Sequence, residues 1–173
     1  NQPIALHLLG VIAHQVGKND IAVELITKAI SIKPDLTEAH SNLGHTLKDL
    51  GELDKAVKSY QKAVFIKPDF AEAHNNLGTT LQELGQLEEA VKSYQKAIDI
   101  NSNYAEAHNN LSVSLNIQGK LVEAISSCSK AIEIKPDYPE AFNNQGNALQ
   151  GLGRLDKAVE CYNKAIAIKP QYA

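Results

Sequence analysis

The stretch AEAHNNLGTTLQELGQLEEAVKSYQKAIDI, residues 71–100, is the most informative part of the sequence, because a close copy of it lies just before it in the chain. The copy is TEAHSNLGHTLKDLGELDKAVKSYQKAVFI, residues 37–66. When the two stretches are extended to 37–70 and 71–104, the resulting 34-residue units are identical at 20 positions. The repeat is therefore one of sequence and not only of hydropathy.

The same period extends over the whole chain. Prolines recur at 34, 68, 136 and 170, and Ser102 takes the one missing place in this series. With these residues at position 32 of each unit, the units are 3–36, 37–70, 71–104, 105–138 and 139–172. The sequence therefore predicts that residues 1–173 form a single array of five repeats.

Each unit is expected to be a helical hairpin, because a glycine at position 15 can adopt the left-handed conformation that ends a helix. These glycines are Gly17, Gly51, Gly85, Gly119 and Gly153. The first helices are predicted near 4–16, 38–50, 72–84, 106–118 and 140–152. The second helices are predicted near 20–32, 54–66, 88–100, 122–134 and 156–168.

Small residues inside these helices indicate close helix packing. Position 8 is glycine in four units and Ser112 in the other, and positions 20 and 27 are always alanine. A glycine inside a helix costs about 1 kcal/mol relative to alanine, so its recurrence favours a site where a neighbouring helix approaches closely. Leucines at positions 7 and 11, such as Leu43 with Leu47, form the apolar stripe of the first helix.

A small residue at position 8, alanines at 20 and 27, an aromatic residue at 24 (Tyr60, Tyr94, Tyr162) and proline at 32 resemble the tetratricopeptide repeat (TPR) family. The resemblance covers residues 3–172. It implies an all-α fold, a right-handed α-solenoid superhelix of five helix-turn-helix repeats. It also implies that the first helix of each repeat lines a concave groove.

Packing leaves positions 2, 6, 9 and 13 of the first helix free for function, with positions 5 and 12 beside them. Asparagines recur at position 6 (Asn42, Asn76, Asn110, Asn144) and at position 5 (Asn75, Asn109, Asn143). An asparagine amide has an acceptor and two donors that match a peptide unit. These seven residues are the candidate peptide-binding site, for an extended polypeptide or protein partner. The alternative, that position 6 only ties adjacent first helices together, remains open.

The repeated NNLG phrase also resembles the TPR portion of O-linked N-acetylglucosamine transferases. That resemblance implies that Asn42, Asn76, Asn110 and Asn144 hold acceptor polypeptides for a catalytic domain, no part of which lies within these 173 residues. Leu8 occupies position 6 of the first unit and departs from the pattern, so the groove is expected to become apolar there. A third interpretation is an architectural scaffold without a peptide ligand.

Composition and spacing argue against other functions. A net charge of -3 provides no positive excess for nucleic acid, and no apolar run is long enough to cross a membrane. Two cysteines without metal-ligand spacing fit a reducing, cytoplasmic location. His40, His74 and His108 recur on separate helices, where packing is favoured over metal binding. No catalytic set or phosphate loop is recognisable, so the segment is predicted to be no enzyme and to need no cofactor.

Two departures from the pattern lead to further expectations. Gln145 replaces the leucine at position 7, and a polar group against the core needs a hydrogen-bond partner. Nothing after Tyr172 resembles a polar capping helix, and the chain begins without methionine, which suggests a segment of a longer protein. The apolar terminal helices predict end-to-end self-association.

Overall fold

A computed structural model describes residues 2–170, and all regular secondary structure within that range is helical. The ten helices are α1 (Gln2–Gln15), α2 (Asn19–Ile32), α3 (Thr37–Asp49), α4 (Leu53–Ile66), α5 (Ala71–Glu83), α6 (Leu87–Ile100), α7 (Ala105–Ile117), α8 (Leu121–Ile134), α9 (Pro139–Gly151) and α10 (Leu155–Ile168). Each begins and ends within two residues of its predicted bounds. The prediction of an all-α fold of helical hairpins is confirmed. Residues 171–172, the end of the fifth predicted unit, lie outside the described residues.

The chain consists of two compact units, Asn1–Gln86 (unit 1) and Leu87–Ala173 (unit 2). In unit 1, α1 packs on α2 and α3 on α4, and the first helices α1, α3 and α5 contact one another in sequence order. In unit 2, α7 packs on α8 and α9 on α10, and the first helices α7 and α9 are in contact. The boundary separates α5 from α6, so the single array remains a prediction.

The turn inside each hairpin is built on the predicted glycine. The five position-15 glycines have φ between 71° and 76°, and they are the residues with positive φ in the described chain. At the end of α3, the N–H of Gly51 donates to the carbonyl of Lys48 (2.8 Å) and that of Glu52 to Leu47 (2.9 Å). These two bonds form a Schellman motif, which satisfies carbonyls that the helix leaves unpaired.

The glycines at position 8 allow the second helix of the same hairpin to approach. A Cβ on Gly44 would lie 2.9 Å from the Tyr60 ring, and one on Gly10 would lie 2.5 Å from Ile26. In the fourth repeat the equivalent pair is Ser112 and Cys128. Ser112 is larger than the glycine of the other repeats, and Cys128 is smaller than Tyr60, so the total volume at the contact is roughly preserved.

Gln145 has the partners that its position requires. Its Nε2 donates to Ser129 Oγ (2.8 Å) in the preceding helix α8, and its Oε1 accepts from Cys161 Sγ (3.3 Å) in the following helix α10. Both ends of the amide are therefore satisfied, and the expectation of a partner is confirmed. No helix in residues 2–170 has the length and apolarity that a membrane span requires.

Candidate functional site

Within each unit the first helices are in contact, so the predicted asparagines Asn42 and Asn144 can reach the preceding repeat. Asn42 Nδ2 donates to His7 Nε2 across the α1–α3 contact (2.8 Å). Asn144 Nδ2 donates to Asn109 Oδ1 across the α7–α9 contact (2.9 Å). In both units the position-6 amide thus bonds the position-5 side chain of the preceding repeat. Asn42 and Asn144 therefore each link two adjacent first helices, as the structural interpretation of position 6 predicts.

The other predicted asparagines differ in how accessible they are. Asn76, Asn110 and Asn143 are half-buried, whereas Asn75 is only 1% exposed and Asn109 only 6%. The side chain of Asn76 makes no hydrogen bond to any residue in the described range 2–170. Asn75 and Asn109 are placed to support their neighbours rather than to face solvent. A role for any of the seven in peptide binding remains a prediction.

A second polar connection joins the first helices of unit 1 near their C-terminal ends. His14 Nε2 lies 2.7 Å from Asp49 Oδ2, and Lys48 Nζ lies 3.0 Å from Glu83 Oε1. Both pairs join position 12 of one repeat to position 13 of the next. In unit 1 the free positions therefore carry the Asn42 amide contact near the middle of the helix and these two polar contacts near its C-terminal end.

The bond between Asn42 and His7 determines the protonation of the histidine. The Asn42 nitrogen is a donor only, so His7 Nε2 must accept, and the ring is neutral with its proton on Nδ1. Burial lowers the pKa of His7 below its ordinary value of 6.5, and the nearby charge of Glu38 opposes part of this shift. The neutral form is therefore the one that the fold stabilises.

Unit 1 is expected to lose stability as the pH falls below about 6.5, the ordinary histidine pKa. In that range the unfolded chain binds a proton at residue 7 and the folded chain does not, so the free energy of unfolding decreases until the lowered pKa is reached. Above the ordinary pKa the contribution is fully present. The variant His7→Asn places at position 5 the residue type that the fourth repeat has there. Asn109 accepts a hydrogen bond from Asn144 in the same way, and an asparagine does not titrate.

Urea unfolding at pH 7.5 and 5.5 measures this difference. We expect the midpoint of the wild-type chain to fall more than that of His7→Asn. The other histidines are common to both chains, so they cancel in the comparison. Equal losses in both chains would show that His7 does not contribute.

The periodic histidines at position 4 have a structural role. His40 Nε2 bonds the Pro34 carbonyl (2.9 Å), His74 the Pro68 carbonyl (3.0 Å) and His108 the Ser102 carbonyl (3.1 Å). Each accepting carbonyl belongs to position 32 of the preceding unit. The histidines therefore tether the turn between repeats, a polar role beyond the packing that their spacing suggests.

Two cavities, one in each unit, do not coincide with the asparagines. A cavity of about 390 Å³ in unit 1 is lined by residues of α2, α3 and α4, including Val23, Leu47 and Lys58. One of about 400 Å³ in unit 2 lies between α6, α7 and α8 and includes Ile98 and Ser127. Both are clefts beside second helices. The asparagines instead lie on the first helices, where five of the seven side chains are half-buried and Asn75 and Asn109 are buried.

One group of polar residues is not predicted by the recurring positions of the sequence. His14, His45 and Asp49 bring one ligand-type atom each to within 4.8 Å of one another. They occupy positions 12, 9 and 13, all of which packing leaves free. They do not recur at one position of every repeat, so a search for recurring residues does not find them. A comparison of the free positions of one repeat with those of the next would have found them.

The cysteines have the packing role that their sequence context suggests. Cys128 and Cys161 are both buried and form no disulfide. Burial raises the pKa of the Cys128 thiol to about 11, and the neighbouring Ser112 hydroxyl offsets only part of this effect. At neutral pH Cys128 is a thiol rather than a thiolate, which makes it a poor nucleophile.

Comparison of the sequence with family models gives matches over nearly its whole length. The TPR repeat model matches residues 44–85, 80–115 and 114–153. Tetratricopeptide repeat models match residues 4–36 and 139–172. No match is found among curated protein sequences.

Solved structures agree with the family models. A crystal structure of MamA shares 30% sequence identity and a TM-score of 0.87, covering 94% of this chain and 95% of that one. YrrB, described as "a TPR protein with an unusual peptide-binding site", shares 25% identity and a TM-score of 0.82, covering 96% and 86%. MamA from Desulfovibrio magneticus is similar in fold alone, with 16% identity and a TM-score of 0.90 over 99% and 97%. This chain, with its helix pairs, turn glycines and matched repeats, belongs to the tetratricopeptide repeat family.

Proposed function

We propose that this chain is a protein-interaction scaffold and that the first-helix face of each unit binds an extended polypeptide through asparagine amides. Unit 1 contributes Asn42 and Asn76, and unit 2 contributes Asn110 and Asn144. The position-5 residues Asn75, Asn109 and Asn143 would support these amides or extend the face. The chain itself would carry out no chemistry and need no cofactor.

The observation that carries the proposal is the hydrogen bonding of the Asn42 and Asn144 amides, which bridge adjacent repeats. Asn42 and Asn144 each use one N–H to contact the preceding repeat. An amide has a second N–H and a carbonyl with two lone pairs. The bridge therefore fixes the orientation of the side chain while leaving groups that can bond a peptide backbone. A side chain ordered in advance loses less entropy on binding.

The spacing of the first helices suits an extended chain. Packed helices lie roughly 8–10 Å apart, and an extended peptide advances roughly 3.3–3.6 Å per residue. Successive amides would then meet about every third peptide residue. Such contacts read the backbone more than the side chains. The related protein YrrB is described as having a peptide-binding site, which supports peptide binding as a property available to this fold.

Asn76→Ala is the sharpest test, because its amide bonds no residue in the described part of the chain. A ligand peptide is first selected from a random peptide library displayed on phage. Losing one hydrogen bond to this peptide should weaken binding about twofold to tenfold, from roughly 0.5–1.5 kcal/mol per bond. Fluorescence anisotropy of the labelled peptide measures the affinity. The matched control is Gln61→Ala, on the exposed face of the second helix α4.

A second arm tests whether the backbone is what is read. N-methylation of the peptide at one residue at a time should weaken binding at intervals of about three residues, by the spacing above. The melting temperature of Asn76→Ala should stay within a few degrees of wild type. An unchanged affinity for Asn76→Ala would favour the architectural scaffold without a peptide ligand.

The transferase alternative shares the same asparagines and differs in their ligand, an acceptor polypeptide for a glycosyltransferase. The relatives named above are not described as transferases, so it rests on the NNLG pattern alone. A cytoplasmic location likewise remains a prediction. Self-association is a further proposal, in which exposed apolar side chains of α10 such as Val159 (56% exposed) would pack against a second copy of the chain.

A further inference from the structure

We propose that His14, His45 and Asp49 form a binding site for a divalent transition-metal ion of the zinc type on unit 1. Each residue offers one ligand atom, and these atoms lie within 4.8 Å of one another. His14 comes from the last turn of α1, and the other two come from adjacent turns of α3. The site would therefore join the first helices of two successive repeats.

The observed distances are close to those that a metal ion needs. His14 Nε2 lies 2.7 Å from Asp49 Oδ2, and His45 Nε2 lies 3.8 Å from the same oxygen. Ligands bound at about 2.1 Å to a tetrahedral ion lie about 3.4 Å apart, which falls between these two values. Each of these two pairs needs a shift of less than 1 Å, and side chains that are 22%, 55% and 44% exposed can make it by rotation.

The ligand types favour zinc-type ions over hard cations. Imidazole nitrogen binds zinc, copper, nickel and cobalt well, whereas magnesium and calcium prefer all-oxygen sites. Two histidines and one carboxylate leave a fourth position for water. A small cavity beside His45 is also lined by Lys48, the one lysine among the described residues that line it. Its ammonium is paired with Glu83 at 3.0 Å, which limits its repulsion of a cation.

His45 distinguishes this group from a simple ionic contact between repeats. Lys48 and Glu83 occupy the same positions, 12 and 13, in the next pair of repeats, so a contact of this kind needs only two residues. At Asp49 a second imidazole approaches the carboxylate, and the two rings meet edge to face with centroids 5.0 Å apart. Two imidazoles and a carboxylate that converge in this way have the composition of a metal site rather than of an ion pair.

Zinc titration of the 173-residue chain without a histidine tag tests the proposal. Competition with a chromophoric chelator should reveal one zinc ion per chain. His45→Gln and Asp49→Asn should each weaken binding at least tenfold, since even the loss of a supporting outer residue typically costs 10–100-fold. His74→Gln is the matched control, because His74 lies on the next first helix and bonds only a backbone carbonyl. Its zinc affinity should equal that of the wild type.

Two further measurements guard against misfolded variants and other sites. His45 and Asp49 are exposed, so circular dichroism should show the wild-type helix content in both variants. X-ray absorption of the zinc-loaded chain should show nitrogen and oxygen ligands at about 2.0–2.1 Å and no sulfur at about 2.3 Å. Sulfur ligands, absence of binding, or equal affinity in all four chains would overturn the proposal.

Discussion

Replacing Gly44 with leucine is expected to lower the free energy of unfolding of unit 1 by about 3 kcal/mol, the upper end of the usual range for overpacking. Even a Cβ at this position would lie 2.9 Å from the Tyr60 ring. That ring is only 1% exposed, so moving it would disturb its contacts with the residues around it. The gain in helix propensity on replacing glycine is at most about 1 kcal/mol and does not compensate. Urea unfolding measures the loss, and hydrogen exchange should locate it in α3 and α4.

The fourth repeat provides a matched control for this prediction. There the same two positions hold Ser112 and Cys128, a larger residue facing a smaller one. Gly44→Ser and Tyr60→Cys should each destabilise unit 1, the first by overpacking and the second by leaving a cavity. Together they should cost at least about 1 kcal/mol less than the sum of the single changes, as coupled contacts do. Additive losses would show that the two residues do not share one packing site.

Replacing Gly51 with valine is expected to cost about 2 kcal/mol, for a different reason. Gly51 has φ of 76°, and a Cβ there would meet nothing within 4 Å. The whole cost is therefore backbone strain, which is roughly 1–2 kcal/mol for an ordinary residue in the left-handed region. A β-branched residue adds to this because its side chain is stiff. Urea unfolding followed by circular dichroism measures the change.

Gly51→Asn separates backbone strain from any effect of side-chain size. Asparagine tolerates the left-handed region better than other residues with a Cβ. We therefore expect it to lose less than half as much stability as Gly51→Val. Equal losses in the two variants would mean that the turn rejects side chains for a reason other than φ. In that case the requirement for glycine at position 51 would not come from its backbone conformation, in contrast to the packing requirement at Gly44.

The fold was predictable because its signals are local and repeated. The position-15 glycines, the alanines and the proline series placed ten helices to within two residues. The Gln145 prediction also succeeded, because a polar residue at a core position must find a partner wherever the chain provides one. The candidate site was less predictable. The asparagines were identified from their recurrence, but their burial and their bonds were not.

The period, the hairpins and the turns of this protein follow from the order of its amino acids, since they depend on neighbouring residues and on helical spacing. Which polar side chains meet depends instead on how the helices pack. The pairs Asn42 with His7, Asp49 with His14 and Asn144 with Asn109 are each separated by 35 residues, one more than the repeat. Adjacent first helices are thus offset by one residue, a consequence of how their side chains pack, which the 34-residue period does not contain. That offset joins His14 to Asp49, and with it the residues of the proposed metal site.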